Sequence, residues 1–372
     1  MRRKLALLAL ALIAAGAQAQ TARHVGTLPR ANDRPLQALP GLDTEYGEVT
    51  TSEGVRLRTI LTRPAGAGRR LPAILLLQWV SCSSIDFDAS QPGLLQDLAT
   101  QSGLVFLRVE RSGTGDSEGP PCSELDYVTE VRHYREALAQ LAAHRWVDRD
   151  RIVLFGSSLG ATTAPLIAGA WPVAGIVVQG GGALTYVERM INFDRNFLER
   201  SGNYAPSQIH EEMARRIPFH VEYLLGRKRP LEVERERPEL AGVWASIRGS
   251  EPNTHYGRPF AWHWQAAATD FLEAWTQVRA PVLVLYGEYD QFETRHGHRL
   301  IADTLNRLRP GSATFVEVPG ADHDLDLFAS AEDAYAYRNP QVRRSEFLPT
   351  MIGWIRRVTG QQRGIDEDSA SH

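Results

Sequence analysis

The chain has 372 residues, 43% apolar and 23% charged, which is enough apolar material for a large buried core and argues against a disordered chain. Its 41 basic and 44 acidic side chains leave a net charge of −3, so no positive excess is present to grip nucleic acid. No internal period is visible, which sets aside solenoids and propellers in favour of one elaborated domain.

Arg2, Arg3 and Lys4 precede an apolar run at residues 5–15, and Ala17-Gln18-Ala19 supplies small residues for a cleavage site. Residues 1–19 therefore read as a secretory signal peptide. The run is shorter than the roughly 20 residues a spanning helix needs, so no stable membrane anchor is expected after cleavage. The expected location is periplasmic or secreted. Residues 20–44 are polar and interrupted by proline, and read as an extended N-terminal arm.

Strand-like runs follow at 46–51, 55–63, 73–80, 105–110, 152–155, 175–179, 282–286 and 313–318. The first two alternate apolar and polar residues about Glu53-Gly54, as a half-exposed hairpin does. The later ones are continuously apolar, as strands covered on both faces are. Helix-period runs at 94–102, 125–144, 159–170, 299–309 and 347–358 separate most of them.

The fold class is thus α/β, a mostly parallel eight-stranded sheet with helices on both faces, its core split into residues 45–183 and 278–360. Residues 184–277 break the alternation and are rich in arginine, glutamate and aromatic side chains. That interval is too long for a plain loop and reads as a helical cap insertion over the C-terminal edge of the sheet, where ligands bind in such folds. Residues 361–372 read as a disordered tail.

Chemistry concentrates at Gly156-Ser157-Ser158-Leu159-Gly160, between a strand-like run and a small-residue helical run. A strand that turns abruptly into a helix needs glycines for close approach, lifts the serine clear of the sheet edge, and aims the Leu159 N–H at a carbonyl oxygen under attack. Gly115-Asp116-Ser117-Glu118-Gly119 matches the same pattern but runs into Pro120-Pro121, so no helix can start behind Ser117.

A serine nucleophile needs a base, and the base needs an acid to orient it. Asp290 follows the run at 282–286, with Glu288 as the competing carboxylate; His323 follows the run at 313–318. A second oxyanion donor is expected from the loop after residue 77, with Val80 first and Trp79 next. Trp244, Tyr256, Trp262 and Trp264 are candidates to line a substrate pocket, although large aromatics more often fill a core. His296 and His298 form a pair without further ligands and read as a helix start, so no metal and no organic cofactor is expected. Cys82 and Cys122 are the only cysteines and are expected to form a disulfide in an oxidising compartment, with two separate thiols as the alternative.

With these residues assembled, the chain from Tyr46 to about Val358 resembles the α/β-hydrolase superfamily, and within it serine esterases and aminopeptidase-like enzymes with a helical cap. The resemblance rests on residues 156–160, on Arg111-Ser112-Gly113-Thr114-Gly115-Asp116-Ser117, on residues 287–290, and on His323. It implies an α/β-hydrolase sheet with Ser158, Asp290 and His323 as catalytic triad. One departure is Gln78-Trp79, where superfamily members commonly carry His-Gly, so an indole stands where the position is usually small.

The leading expectation is a carboxylesterase acting on a small-molecule ester. An exported aminopeptidase or dipeptidyl-peptidase-like enzyme acting on short peptides is the alternative, with Glu188, Glu211 and Glu212 as candidate partners for a substrate ammonium. A non-catalytic binding protein on the same fold is the third reading.

Overall fold

A computed structural model describes residues 22–31, 35–86, 93–341 and 347–361. The signal-peptide reading of residues 1–19, and the tail from residue 362 onward, lie outside the described residues.

The described residues open with strands β1 (Ala22–His24), β2 (Leu42–Thr50), β3 (Arg56–Pro64) and β4 (Leu71–Leu77). Helix α1 (Leu94–Gln101), β5 (Val105–Val109), α2 (Tyr127–Ala142), β6 (Val147–Ser157), α3 (Leu159–Ala168) and β7 (Gly175–Gln179) follow. The insertion carries α4 (Tyr186–Arg200), α5 (Pro206–His220), α6 (Pro230–Glu236), α7 (Val243–Ser246), a hairpin of β8 (Thr254–His255) and β9 (Arg258–Pro259), and α8 (Phe260–Ala267). The chain then returns through α9 (Phe271–Gln277), β10 (Val282–Gly287), α10 (Arg295–Leu308), β11 (Ala313–Val318), α11 (Ala331–Tyr335) and α12 (Leu348–Val358).

Among the described residues the main sheet holds nine strands in the order β1-β2-β3-β5-β4-β6-β7-β10-β11. The β2–β3 and β3–β5 pairs are antiparallel and all others parallel. The strand beyond the eight expected is β1, three residues of the arm laid parallel to β2. So short a strand carries no period for a sequence to display.

The uninterrupted apolar character of β4 has a direct cause in packing. Leu75 and Leu77 face a layer made by α2, α3 and α10, whereas Ile74 and Leu76 face α1 and α12. Both faces are dry, so no alternation survives. Each such side chain contributes about 1.5–3 kcal/mol by leaving water.

The insertion has its own aromatic core, in which Phe219, Tyr223, Trp244, Phe260 and Trp262 pack with Tyr127 of α2 and with Leu159. The last helix of the 184–277 interval behaves differently. Trp275 of α9 is buried with Ile167 and Ile301 in the core beneath the sheet, so α9 joins the layers of the main domain and the cap proper ends with α8.

Candidate active site

β6 ends at Ser157 and α3 begins at Leu159, leaving Ser158 alone to turn the chain. Ser158 sits at φ 53°, ψ −113°, a conformation that costs an L-residue about 1–3 kcal/mol. Its surroundings enforce the turn. A Cβ at position 160 would stand 2.0 Å from the Leu77 carbonyl oxygen, and one at position 156 would stand 2.6 Å from the Gly160 carbonyl oxygen. Glycine at both ends of the pentapeptide is therefore a requirement of space.

The loops after β10 and β11 bring the other two groups over the same sheet edge. His323 Nε2 lies 2.9 Å from Ser158 Oγ, and His323 Nδ1 lies 3.0 Å from each carboxylate oxygen of Asp290. Asp290 Oδ1 also accepts hydrogen bonds from the backbone N–H groups of Phe292 and Glu293, at 2.8 and 2.9 Å. Burial alone would raise the Asp290 pKa, but the charge and hydrogen bond of His323 outweigh it and hold the carboxyl below its ordinary value. Burial alone would likewise lower the imidazole; the charge and hydrogen bond of Asp290 prevail and raise His323 above its ordinary value.

Helix α4 of the cap secures this acid loop from outside. Arg189 pairs with buried Glu293, Asn196 Nδ2 donates to the Phe292 carbonyl at 3.0 Å, and Arg200 donates to the Asp290 carbonyl.

The rival residues are occupied elsewhere. Glu288 accepts the Gly320 N–H at 2.8 Å and braces the turn after β11. Ser117 Oγ donates to the Glu110 carbonyl at 3.1 Å and accepts the Arg58 N–H at 2.9 Å, which makes its pentapeptide a turn brace. His296 is exposed and His298 buried, with Nδ1 2.9 Å from the Thr294 carbonyl oxygen. No cluster of three metal-ligating side chains occurs among the described residues.

A cavity of about 360 Å³ lies over Ser158, with Trp79, Val80, Leu159, Tyr186, Arg189, Met190, Phe193, Arg248, Gly249, Tyr256, Phe292, His323 and Asp324 completing its wall. Of the four aromatic residues expected in a pocket, Tyr256 alone lines it. Trp244 and Trp262 are corrected to the cap core: their Nε1 groups donate to the Glu251 carbonyl at 3.2 Å and to Glu130 Oε2 at 3.0 Å. Trp264 packs half-buried against the same cluster. Burying the large indoles is what gives so charged an insertion a core.

Sequence reasoning missed Tyr186, Met190 and Phe193, although their spacing marks one face of α4. Arg248 and Phe292 sit in loops and carry no such signal. Glu188 caps the start of α4, Glu212 pairs with Arg216 at 3.3 Å, and Glu211 is exposed; none of the three lines the cavity. Cys82 and Cys122 are joined in a disulfide, with their Cα atoms 5.8 Å apart. Among the described residues no helix is long and apolar enough to cross a membrane.

A sequence model of the alpha/beta hydrolase family matches residues 79–336. The chain is 34% identical over 117 residues to polyketide transferase ATR5 of Stachybotrys chlorohalonatus, covering 31% of this chain and 36% of that one. It is 31% identical over 131 residues to polyketide transferase af380 of Aspergillus fumigatus, covering 34% and 41%. The matches thus span about two-fifths of the length of these curated relatives. Among solved structures, the Pyrococcus furiosus esterase Pf2001 is similar at TM-score 0.55 and 13% identity over 90% of this chain and 100% of that one, a likeness of fold alone.

Proposed function

The chain belongs to the alpha/beta hydrolase family, and on that premise we propose that it is a serine hydrolase cleaving carboxylic esters through an acyl-enzyme on Ser158. The observation that carries the reading is the hydrogen-bonded series Ser158–His323–Asp290 opening into a largely apolar cavity.

His323 Nε2 takes the Ser158 proton as Oγ adds to the ester carbonyl, and the oxyanion falls to the N–H groups of Leu159 and Val80. Collapse breaks the bond to the leaving alkoxide, which takes the proton back from the imidazolium. Water then repeats the sequence on the acyl-enzyme, releasing the acid. Asp290 stays ionised throughout and holds Nδ1–H.

The cavity wall favours an ester over a peptide with a free amino terminus. Its lining residues include Arg189, already paired with Glu293, Arg248 and one carboxylate, Asp324, and none of Glu188, Glu211 and Glu212. Fluorophosphonate labelling of Ser158, with turnover of p-nitrophenyl acyl esters well above that of aminoacyl p-nitroanilides, is the expected result. Folded protein that neither labels nor turns over esters would favour a binding role instead.

The likeness to two polyketide transferases supports a second reading, in which the same acyl-enzyme passes its acyl group to an alcohol rather than to water. Adding a primary alcohol to the ester assay separates the two: a transesterified product forming faster than free acid indicates transfer. Export belongs to the reading as well, supported by the disulfide, since such bonds persist in oxidising compartments. N-terminal sequencing of the mature protein tests it, with cleavage after Ala19 expected.

A further inference from the structure

One guanidinium holds both sides of the loop that carries the second oxyanion donor. Arg111, in the turn after β5, is buried and donates through Nη2 to the Trp79 carbonyl and through Nη1 to the Ser81 carbonyl at 2.8 Å. The Trp79 carbonyl and the Val80 N–H belong to the same planar peptide unit, and there is no cis peptide among the described residues. In a trans unit these two groups point in opposite directions. Val80 lines the cavity with Ser158, and Arg111 does not. Fixing the carbonyl on Arg111 therefore turns the Val80 N–H away from Arg111, and Val80 itself stands at the cavity wall.

Arg111 is itself fixed by a carboxylate that the cap shares. Its Nε donates to Oε1 of Glu130, on α2, at 2.5 Å. The other oxygen, Oε2, receives Arg258 Nη2 from β9 and Trp262 Nε1 from α8, the latter at 3.0 Å. Glu130, Arg258 and Trp262 are all buried. Arg258 Nη1 also donates to the Cys122 carbonyl at 3.0 Å, beside the disulfide that ties the loop at Cys82. Glu130 thus joins the cap to Arg111, and through Arg111 to the loop.

We propose that Arg111 is the positioning residue for the oxyanion donor Val80, and that Glu130 makes the aim of that donor depend on how the cap is seated. The proposal rests on the serine-hydrolase reading. It extends that reading by tying transition-state stabilisation, rather than substrate binding alone, to the cap.

A trifluoromethyl ketone is the discriminating probe. Ser158 Oγ adds to its carbonyl carbon, the C=O π bond becomes an oxyanion at the donors, and His323 keeps the serine proton. Its inhibition constant therefore reports the oxyanion site in a way that fold stability does not.

Arg111→Met is expected to lower kcat on a p-nitrophenyl ester by about 10- to 100-fold and to raise the ketone's inhibition constant by the same factor, with KM changed about threefold or less. Arg111→Lys, which keeps the charge but not the planar fork, is expected to fall between the parent and Arg111→Met. Trp262→Phe removes one donor from Glu130 without stranding a charge and is expected to shift both quantities in the same direction by a smaller factor.

If Arg111→Met fails to fold, the other two variants decide. Folded Arg111→Lys and Trp262→Phe proteins that bind the ketone as the parent does, with only their melting temperatures lowered, would overturn the proposal and leave Arg111 as a structural ion pair. Parent protein insensitive to both the ketone and fluorophosphonate would strike the serine-hydrolase reading instead, so the two failures are distinct.

Discussion

The imidazole of His323 rests against the backbone of Gly180: a Cβ built there would stand 2.9 Å from Cε1 and 3.2 Å from each ring nitrogen. Gly180 follows β7 at φ 63°, so the residue supplies both a left-handed turn and the floor under the base. Gly180→Ala is expected to push the ring off the Ser158–Asp290 line and lower kcat by about 10- to 100-fold, with roughly 1 kcal/mol lost from the left-handed backbone. Ester turnover and thermal melting check the two parts separately. An unchanged kcat would mean that the ring does not need this floor.

The same ring sets the pH dependence. His323 must be neutral to accept the serine proton; burial lowers its pKa, but the charge and hydrogen bond of Asp290 outweigh it and raise the group from 6.5 to about 9. Activity is therefore lost as pH falls through that raised value, and kcat/KM is expected to rise on one acid limb with its midpoint above 6.5. Asp290→Asn removes the charge that holds the imidazolium, so the midpoint is expected to move down while kcat falls by about 10⁴-fold. A limb that stays in place in this variant would assign it to another group.

The parts of this site that the sequence shows most openly are those governed by local geometry. Gly156 and Gly160 announce the elbow because sterics permit little else at those positions, and Asp290 and His323 are legible because they follow strands with strong apolar signals. The cavity wall was far less readable. Arg248 and Phe292 reach it from loops whose courses depend on long-range packing, and the indoles of Trp244 and Trp262 were claimed by the cap core. The Arg111–Glu130–Arg258 assembly was equally hidden: it joins three segments far apart in the chain, and no spacing encodes that meeting.

Strain at the nucleophile predicts a stability effect separable from chemistry. Ser158 holds φ 53°, a value glycine adopts without steric cost. Ser158→Ala and Ser158→Gly are both expected to abolish ester turnover, but the glycine variant should be the more stable of the two by about 1 kcal/mol. Chemical denaturation of the pair measures this directly. An alanine variant as stable as the glycine one would mean that the strain at this turn is no larger than the extra chain entropy glycine loses on folding.

Beside the base, Asp322 carries the other pH signature of the fold. Its carboxyl is buried, Oδ1 accepts the Asp324 and Asp326 N–H groups at 3.0 Å, and Oδ2 has no hydrogen-bond partner among the described residues. Burial first, then the nearby charges of Asp324 and Asp326, outweigh those backbone donors and raise its pKa from 3.8 to about 7. The folded chain therefore holds this proton more tightly than the unfolded one. Stability contributed by the group falls as pH rises from about 4 to about 7, and the cost of burying its charge is complete above that window. Asp322→Asn keeps the Oδ1 acceptor and has no charge to bury. The variant is expected to lose less stability than the parent between pH 4 and 7 and to melt above it at about pH 8. Parallel melting curves for the two proteins across that range would mean that Asp322 ionises in the folded state as readily as in the unfolded chain.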